Sequence, residues 1–168
     1  MDVGTWVDRG TIGVVSNSNK PYNAIDPSFI EVNGAYYLSF GSYWQGLYQA
    51  PHARSASDAL QFPVPDRIHG RLPGVGSSVH ILLQQLLLYY LFMSKGQCCN
   101  LDKSRPAAGK EYSILVCRSP SPTGGFVDQS GQDYRSGGES VVRASEGYFY
   151  APGGQGIYDD PTYGPVLY

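Results

Sequence analysis

A short motif near the amino terminus carries the side chain best suited to chemistry. In Asn23-Ala24-Ile25-Asp26-Pro27 a carboxylate stands just before a strand-like run that starts at Phe29. An Asp at a strand edge, held by the following Pro, is able to project into a channel, and carboxylates are common acid–base groups in such places. Because Asp-Pro pairs also favour turns, a purely structural turn role for Asp26 is the competing interpretation.

Strand-like sequences surround this motif and would have to position it. Residues 29–32 and 35–40 are rich in aromatic and aliphatic side chains, and Asn33-Gly34 lies between them. Asn-Gly between two such runs predicts a tight hairpin, because both central turn positions need a positive φ. Further strands are predicted at residues 111–117, 140–143 and 164–168.

Two echoes along the chain predict a repeated structural unit. Residues 36–42 resemble residues 89–96, and a third aromatic run occupies 148–150. Residues 6–10 resemble 126–131, since both read aromatic-Val-Asp and continue into a turn with Gly. A spacing of about 50 to 60 residues is in the range of β-propeller blades, and each blade is a four-stranded antiparallel sheet beside a central channel. Chance recurrence of Tyr-rich strands is the alternative.

The composition favours many short strands and argues against several classes of protein. Of 168 residues, 15% are charged and 13% are aromatic, with 21 Gly and 12 Pro. Few charges and many aromatics oppose disorder, and frequent Gly and Pro oppose a helical bundle. A net charge of −2 without a basic cluster argues against nucleic acid as a partner. The 14 Tyr and the few charges suit a neutral polar ligand such as a sugar.

Cysteine content and hydropathy indicate neither a metal site nor a membrane span. Cys98 and Cys99 are adjacent and Cys117 stands apart, so the odd count gives no clear disulfide framework. The cysteines lack the spacing of a zinc site, and a structural thiol role is expected. The most apolar stretch, 80–93, contains two Gln and is shorter than the about 20 residues that a bilayer crossing needs. The first residues do not read as a signal peptide.

Several longer motifs occur in a fixed order along the chain. They are residues 21–27, 36–44, 98–100, 104–112, 116–119, 123–128, 151–156 and 160–168. In this order they resemble fungal endo-1,5-α-L-arabinanases of glycoside hydrolase family 43. The resemblance covers residues 1 to about 60 and about 89 to 168.

The resemblance implies an all-β fold, a five-bladed β-propeller, that inverts the anomeric centre while hydrolysing α-1,5-linked arabinan. Residues 1–168 would form an incomplete propeller catalytic domain of about three to four blades, with a divergent segment at 61–88. The family's Asn-Ala-Ile-Asp-Pro motif carries a carboxylate that orients the general acid and tunes its pKa, and Asp26 matches it. An extracellular monomer that acts on arabinan or arabino-oligosaccharides is implied. The expected sugar contacts are Asn23, Ser42, Tyr43, Trp44 and Gln155.

The catalytic pair of the family is not matched. The general base lies in an amino-terminal His-Asp-Pro segment of the family, to which no residue here corresponds. The general acid, in a Val-Glu-Gly-Ser context, aligns with Val75, and Val cannot donate a proton. A frame or splice error and genuine divergence both explain the weak resemblance of segment 61–88.

The metal site of the family is not matched either. Its channel metal has a His ligand just beyond the position of Tyr168, and His52, His69 and His80 are not in that context. No cofactor and no metal ligand is therefore assigned. The chain is expected to be an arabinan hydrolase by family with impaired catalysis. The alternative is a non-catalytic propeller fragment that binds arabinan.

Overall fold

The computed structural model describes Gly4, Asp8, Gly10 and residues 12–52, 81–85 and 87–168, and at 51–52 and 81–85 it describes the backbone alone. These residues form strands and one 3-10 turn but no α-helix, which confirms the predicted all-β class. Accordingly, no described helix is long and apolar enough to span a membrane. The elements are β1 (Ser28–Val32), β2 (Ala35–Phe40), β3 (Tyr48–His52), β4 (Ile81–Gln85), β5 (Leu88–Lys95), β6 (Ser113–Ser119), the 3-10 turn Tyr134–Ser136, β7 (Ser140–Arg143), β8 (Ile157–Asp160) and β9 (Gly164–Leu167).

The strands form three antiparallel sheets in the described part of the chain. The first sheet has the order β1-β2-β3, the second β4-β5-β6-β7, and the third pairs β8 with β9. The echoing segments 36–42 and 89–96 supply β2 and β5, which are inner strands of the first and second sheets. The third aromatic run differs, because residues 148–150 lie in a tight turn closed by a bridge between Glu146 and Phe149.

Sequence patterns located five of the strands to within two residues at either end. These are β1, β2, β6, β7 and β9. The pattern missed β3, which contains Pro51 and lies at the edge of its sheet, where a missing amide donor is tolerated. It assigned no element to β4, because the Leu pairs at 82–83 and 86–87 recur at helical spacing, and pairing with β5 decides the conformation. It also missed β8. Residues 53–80, with Val75, His69 and His80, lie outside the described residues.

The hairpin predicted from Asn33-Gly34 is present. Val32 pairs with Ala35 across the two-residue turn, and Asn33 and Gly34 have φ of 51° and 77°. Both values lie in the left-handed region that a type I′ turn requires. The prediction is confirmed, and the turn sets the register of β1 on β2.

One cluster of buried side chains joins the first sheet to the second. Val32 and Leu47 pack there with Leu91, Met93 and Leu115, each at most 8% exposed. Burying a side chain of this size contributes about 1.5–3 kcal/mol. The two sheets therefore share a core, and the loops at their ends are held at fixed positions relative to each other.

We expect the substitution Gly34→Ala to lower the free energy of unfolding by about 1–2 kcal/mol, the cost of a Cβ in the left-handed region. No atom lies within 4 Å of a Cβ built at this position, so the loss would be conformational rather than steric. Asn33→Gly is the control, because Gly adopts the same φ freely, and it should change stability by less than about 0.5 kcal/mol. Urea unfolding measures both, and an Ala variant as stable as the wild type would contradict the turn assignment.

Candidate functional site

Tyr22 fixes the segment that carries Asp26 against the first sheet. Its side chain is buried, and its ring centroid lies 5.2 Å from that of Phe40 and 5.3 Å from that of Tyr48. Edge-on and tilted ring contacts add to the free energy gained by burying aromatic area. Residues 23–26 therefore leave the sheet from a defined point.

Backbone hydrogen bonds bring Asp26 beside the turn that follows β2. The Gly41 amide donates to the Ile25 carbonyl at 3.0 Å, and the Gly46 amide donates to the Tyr43 carbonyl at 2.9 Å. The first bond ties the residue before Asp26 to the residue before Ser42. Asp26, Ser42 and Tyr43 consequently meet at the end of the first sheet where β1 begins and β2 ends.

These three residues line an open cleft of about 440 Å³, here termed the Asp26 cleft. The volume lies within the range of small-ligand sites. Its walls come from five separate parts of the chain, and Asp26 is the sole carboxylate among the described residues that line it. The lining residues are Ile25, Asp26, Ser42, Tyr43, Cys98, Cys99, Tyr112, Ala151, Gly153 and Gly154.

Asp26 has both the turn geometry and the exposure of a cleft residue. Its backbone is left-handed, with φ of 55°, and its side chain is half-buried. Burial raises the pKa of the Asp26 carboxyl group above its ordinary value near 3.8, because desolvation disfavours the charged form. The two interpretations of the motif are therefore compatible, since Asp26 stands in a bend and also faces the cleft.

Strained backbone is concentrated at the Asp26 cleft. Six described residues other than Gly have positive φ, and three of them, Asp26, Tyr43 and Ala151, line this cleft. Each such conformation costs roughly 1–2 kcal/mol, and strained residues cluster at binding and catalytic sites. The shape of the cleft is thus maintained against local backbone preference.

A buried polar pair holds the loop that forms the far wall of the cleft. The Ser94 hydroxyl donates to Gln155 Oε1 at 2.7 Å and accepts from the Gly154 amide at 3.3 Å. Ser94 and Gln155 are 0% and 2% exposed. Because buried polar groups need partners, this pair fastens residues 153–155 to the end of β5.

The ring of Tyr112 closes the same wall. Tyr112 is buried, and a Cβ built on Gly153 would overlap its ring, so the ring lies directly on the Gly153 backbone. Only Gly permits so close an approach of backbone and ring at this position. The wall between the two residues is therefore flat and apolar.

The structure brings together two of the five predicted sugar contacts and places the other three elsewhere. Ser42 and Tyr43 line the cleft with Asp26. The Asn23 side chain accepts a hydrogen bond from the Ser16 hydroxyl at 3.2 Å and thereby closes the loop before Asp26. Trp44 is 47% exposed next to the cleft, and buried Gln155 acts on the loop beside it.

Sequence reasoning missed the adjacent disulfide between Cys98 and Cys99, which borders the cleft. The Tyr43 hydroxyl lies 3.1 Å from Cys98 Sγ. A disulfide sulfur carries no proton, so Tyr43 is the donor in this contact. The odd cysteine is Cys117, a buried thiol whose pKa is raised to about 12, mainly by desolvation. The adjacency of Cys98 and Cys99 was the available signal.

The described residues offer no group of three or more His, Cys, Asp and Glu side chains positioned to hold a metal ion. The channel metal implied by the family resemblance therefore finds no ligand set in the described part of the chain.

Comparison with known proteins identifies the fold. An exo-1,5-alpha-L-arabinanase from a bovine ruminal metagenomic library matches with a TM-score of 0.80 at 23% identity, covering 97% of this chain and 58% of that chain. The alpha-L-arabinanase of Cellvibrio cellulosa matches with a TM-score of 0.78 at 25% identity, covering 96% and 53%. These matches define the class as an all-β protein with the fold of the arabinanases.

Sequence comparison then identifies the curated relatives of the chain. The chain is 48% identical over 170 residues to arabinan endo-1,5-alpha-L-arabinosidase A of Aspergillus aculeatus, and the match covers 100% of this chain and 52% of that protein. No protein-family model matches the chain. Along its whole length the chain is therefore similar to the fungal arabinan endo-1,5-alpha-L-arabinosidases. It spans about half the length of the curated relatives it matches.

We expect Asp26→Asn to raise the melting temperature near neutral pH. A carboxyl group whose pKa is raised by folding stabilises the protein below its unfolded pKa, and this contribution is lost as the pH rises through the folded pKa. Asn keeps the shape and tolerates the left-handed backbone. The gain should therefore shrink as the pH falls through the raised pKa of folded Asp26 towards the ordinary value near 3.8, and it should be absent below that value. Calorimetric melting of both proteins across this range tests it, and a pH-independent difference would contradict the desolvation of Asp26.

We expect Ser94→Ala to lower the free energy of unfolding by about 1–3 kcal/mol, because the substitution removes hydrogen bonds that Gln155 and Gly154 make in a buried place. Ser113→Ala is a matched control on the neighbouring strand, since its hydroxyl makes a longer contact of 3.4 Å with the Lys95 carbonyl. The Ser113→Ala control should lower the free energy of unfolding by less than about 0.5 kcal/mol. Denaturant unfolding distinguishes them, and equal losses would show that the Ser94–Gln155 pair does not hold the loop.

Proposed function

We propose that this chain is an arabinan-directed glycoside hydrolase module that binds α-1,5-linked arabino-oligosaccharides in the Asp26 cleft. The observation that carries the proposal is a desolvated carboxylate in a cleft of about 440 Å³ beside Tyr43 and Tyr112. Relatives that cover the whole chain are arabinan endo-1,5-alpha-L-arabinosidases. The arabinanase of Cellvibrio cellulosa has been solved with arabinohexaose.

The proposed fold of the module is a five-bladed β-propeller. The first and second sheets would be successive blades, since β2 and β5 carry echoing sequences and hold inner positions in their sheets. The Asp26 cleft would then face the central channel, because loops at the same end of neighbouring blades converge there. An extracellular monomer is proposed, and a disulfide at Cys98–Cys99 is compatible with an oxidising compartment.

Asp26 is proposed to orient a general acid and to raise its pKa. Inverting hydrolysis uses a general acid and a general base about 6.5–9.5 Å apart, and a nearby negative charge raises the pKa of the acid so that it keeps its proton. A single carboxylate cannot fill both catalytic roles. The described lining of the cleft supplies Asp26 alone, which fits the accessory role rather than either member of the pair.

Impaired catalysis is part of the proposal. Val75 stands where the family has its general acid, and Val75 lies outside the described residues. Loss of a general acid or base lowers the rate by about 10²- to 10⁴-fold. The second candidate function, a non-catalytic arabinan-binding module, is favoured by the same observation, namely a shaped cleft with one carboxylate.

We expect the 168-residue chain to bind arabinohexaose in calorimetric titration and to release reducing sugar from linear arabinan at least about 100-fold more slowly than the Aspergillus aculeatus relative. Tyr43→Ala should weaken binding by removing a side chain at the rim of the cleft. Turnover equal to that of the relative would refute the impairment and support the hydrolase. The absence of both binding and turnover would overturn the arabinan assignment.

A further inference from the structure

The Cys98–Cys99 disulfide contributes little to stability through chain entropy. A disulfide stabilises a fold mainly by closing a loop in the unfolded chain, and the effect grows with loop length. Here the sequence separation is 1, and the Cα atoms are 3.8 Å apart, the spacing of any two consecutive residues. The bond therefore acts on local shape, because it locks both sulfur atoms to one side of their shared peptide.

The position of this locked pair is the mouth of the Asp26 cleft. Both cysteines line the cleft, Cys98 is half-buried and Cys99 is exposed. Gly96 and Gln97 bring them there, since the Gln97 amide donates to the Lys110 carbonyl and the Tyr112 amide donates to the Gln97 carbonyl. The disulfide and the Tyr112 ring are thus held on the same side of the cleft.

The hydrogen bond from Tyr43 links the disulfide to the opposite rim. Tyr43 is 46% exposed, has a left-handed backbone and donates its hydroxyl proton to Cys98 Sγ at 3.1 Å. Without this contact the exposed aromatic ring would rotate freely, and ordering it on ligand binding would cost free energy. The contact with sulfur pre-orders the ring that borders the cleft.

The lining of the cleft therefore combines apolar groups with hydrogen-bonding groups. Disulfide sulfurs donate no hydrogen bond and are polarizable, and they stand with Tyr112 and Ala151. Asp26 and Ser42 supply the hydrogen-bonding groups. A furanose ring has the matching character, with C–H bonds on its faces and hydroxyl groups at its edge.

We propose that the Cys98–Cys99 disulfide is a ligand-contacting wall of the Asp26 cleft, which packs against the C–H face of a pentose unit and holds Tyr43 at the rim. The inference rests on the proposed function, because it names how that cleft recognises its sugar. Neither cysteine takes part in bond cleavage, and the role is one of binding and specificity.

Calorimetric titration with arabinohexaose tests the role of the disulfide. The double variant Cys98→Ser/Cys99→Ser should bind about tenfold more weakly than the oxidised wild-type protein, since it loses the apolar surface and the lock. Tyr43→Phe keeps the ring, loses the proton that Cys98 accepts, and should bind about threefold more weakly. Melting curves of each variant establish that it is folded at the temperature of titration.

Reduction of the unmodified sequence provides a second measurement. Dithiothreitol transfers two electrons and two protons to the disulfide and is itself oxidised to its cyclic disulfide. Cys117 is already a thiol, so Cys98–Cys99 is the bond that the reagent changes. Binding by the wild-type protein should weaken on reduction, whereas binding by the double Ser variant should not respond.

The outcomes separate this inference from the proposed function. Equal affinity of the oxidised wild type, the reduced wild type and the double Ser variant would overturn the disulfide wall and leave arabinan binding intact. No binding by the oxidised wild type would overturn the proposed function and the wall with it. Weaker binding of both the reduced protein and the double variant supports the wall.

Discussion

The burial of the Tyr22 ring between Phe40 and Tyr48 is the contact on which the candidate site depends. It secures the irregular segment before β1 to a face of the first sheet, and the bond between the Gly41 amide and the Ile25 carbonyl then sets where Asp26 stands. Without an anchor of this kind, a segment lacking regular hydrogen bonding would move freely at its edge of the sheet. A carboxylate that acts on a ligand needs a fixed position, and here apolar packing fixes that position.

The Asp26 cleft is assembled by tertiary contacts of long range. Its walls include residues 25–26, 42–43, 98–99 and 151–154, and no two of these segments are adjacent in the chain. The shared core of the first and second sheets holds the first three together, while the buried Ser94–Gln155 pair fastens the last to β5. Left-handed backbone at three lining residues shows that these restraints outweigh local preference. Rigid sheets thus carry a site made almost entirely of loops.

The Asp26 cleft combines one partly buried carboxylate with lining groups that carry no charge. Partial burial raises the pKa of Asp26, so its environment is drier than that of a surface carboxylate. The same cleft is lined by a disulfide, an aromatic ring and short side chains, which offer shape rather than charge. This combination suits a ligand with apolar faces and hydroxyl edges, and it is compatible with the orienting role proposed for Asp26. The similarity to arabinan endo-1,5-alpha-L-arabinosidases is the basis for the proposal that this ligand is an arabino-oligosaccharide.

The amino-acid sequence predicted those elements whose conformation is set by residues that are neighbours in the chain. Asn33-Gly34 predicted its hairpin because the turn needs positive φ at both residues, and the aromatic-rich run after it predicted β2. The Asn-Ala-Ile-Asp-Pro motif singled out Asp26 through its strand-edge position and family resemblance. Tertiary structure alone decided that Gln155 fastens a loop and that Cys98–Cys99 lines the same cleft as Asp26. Those outcomes depend on partners distant in sequence, and no window along the chain contains both members of such a pair.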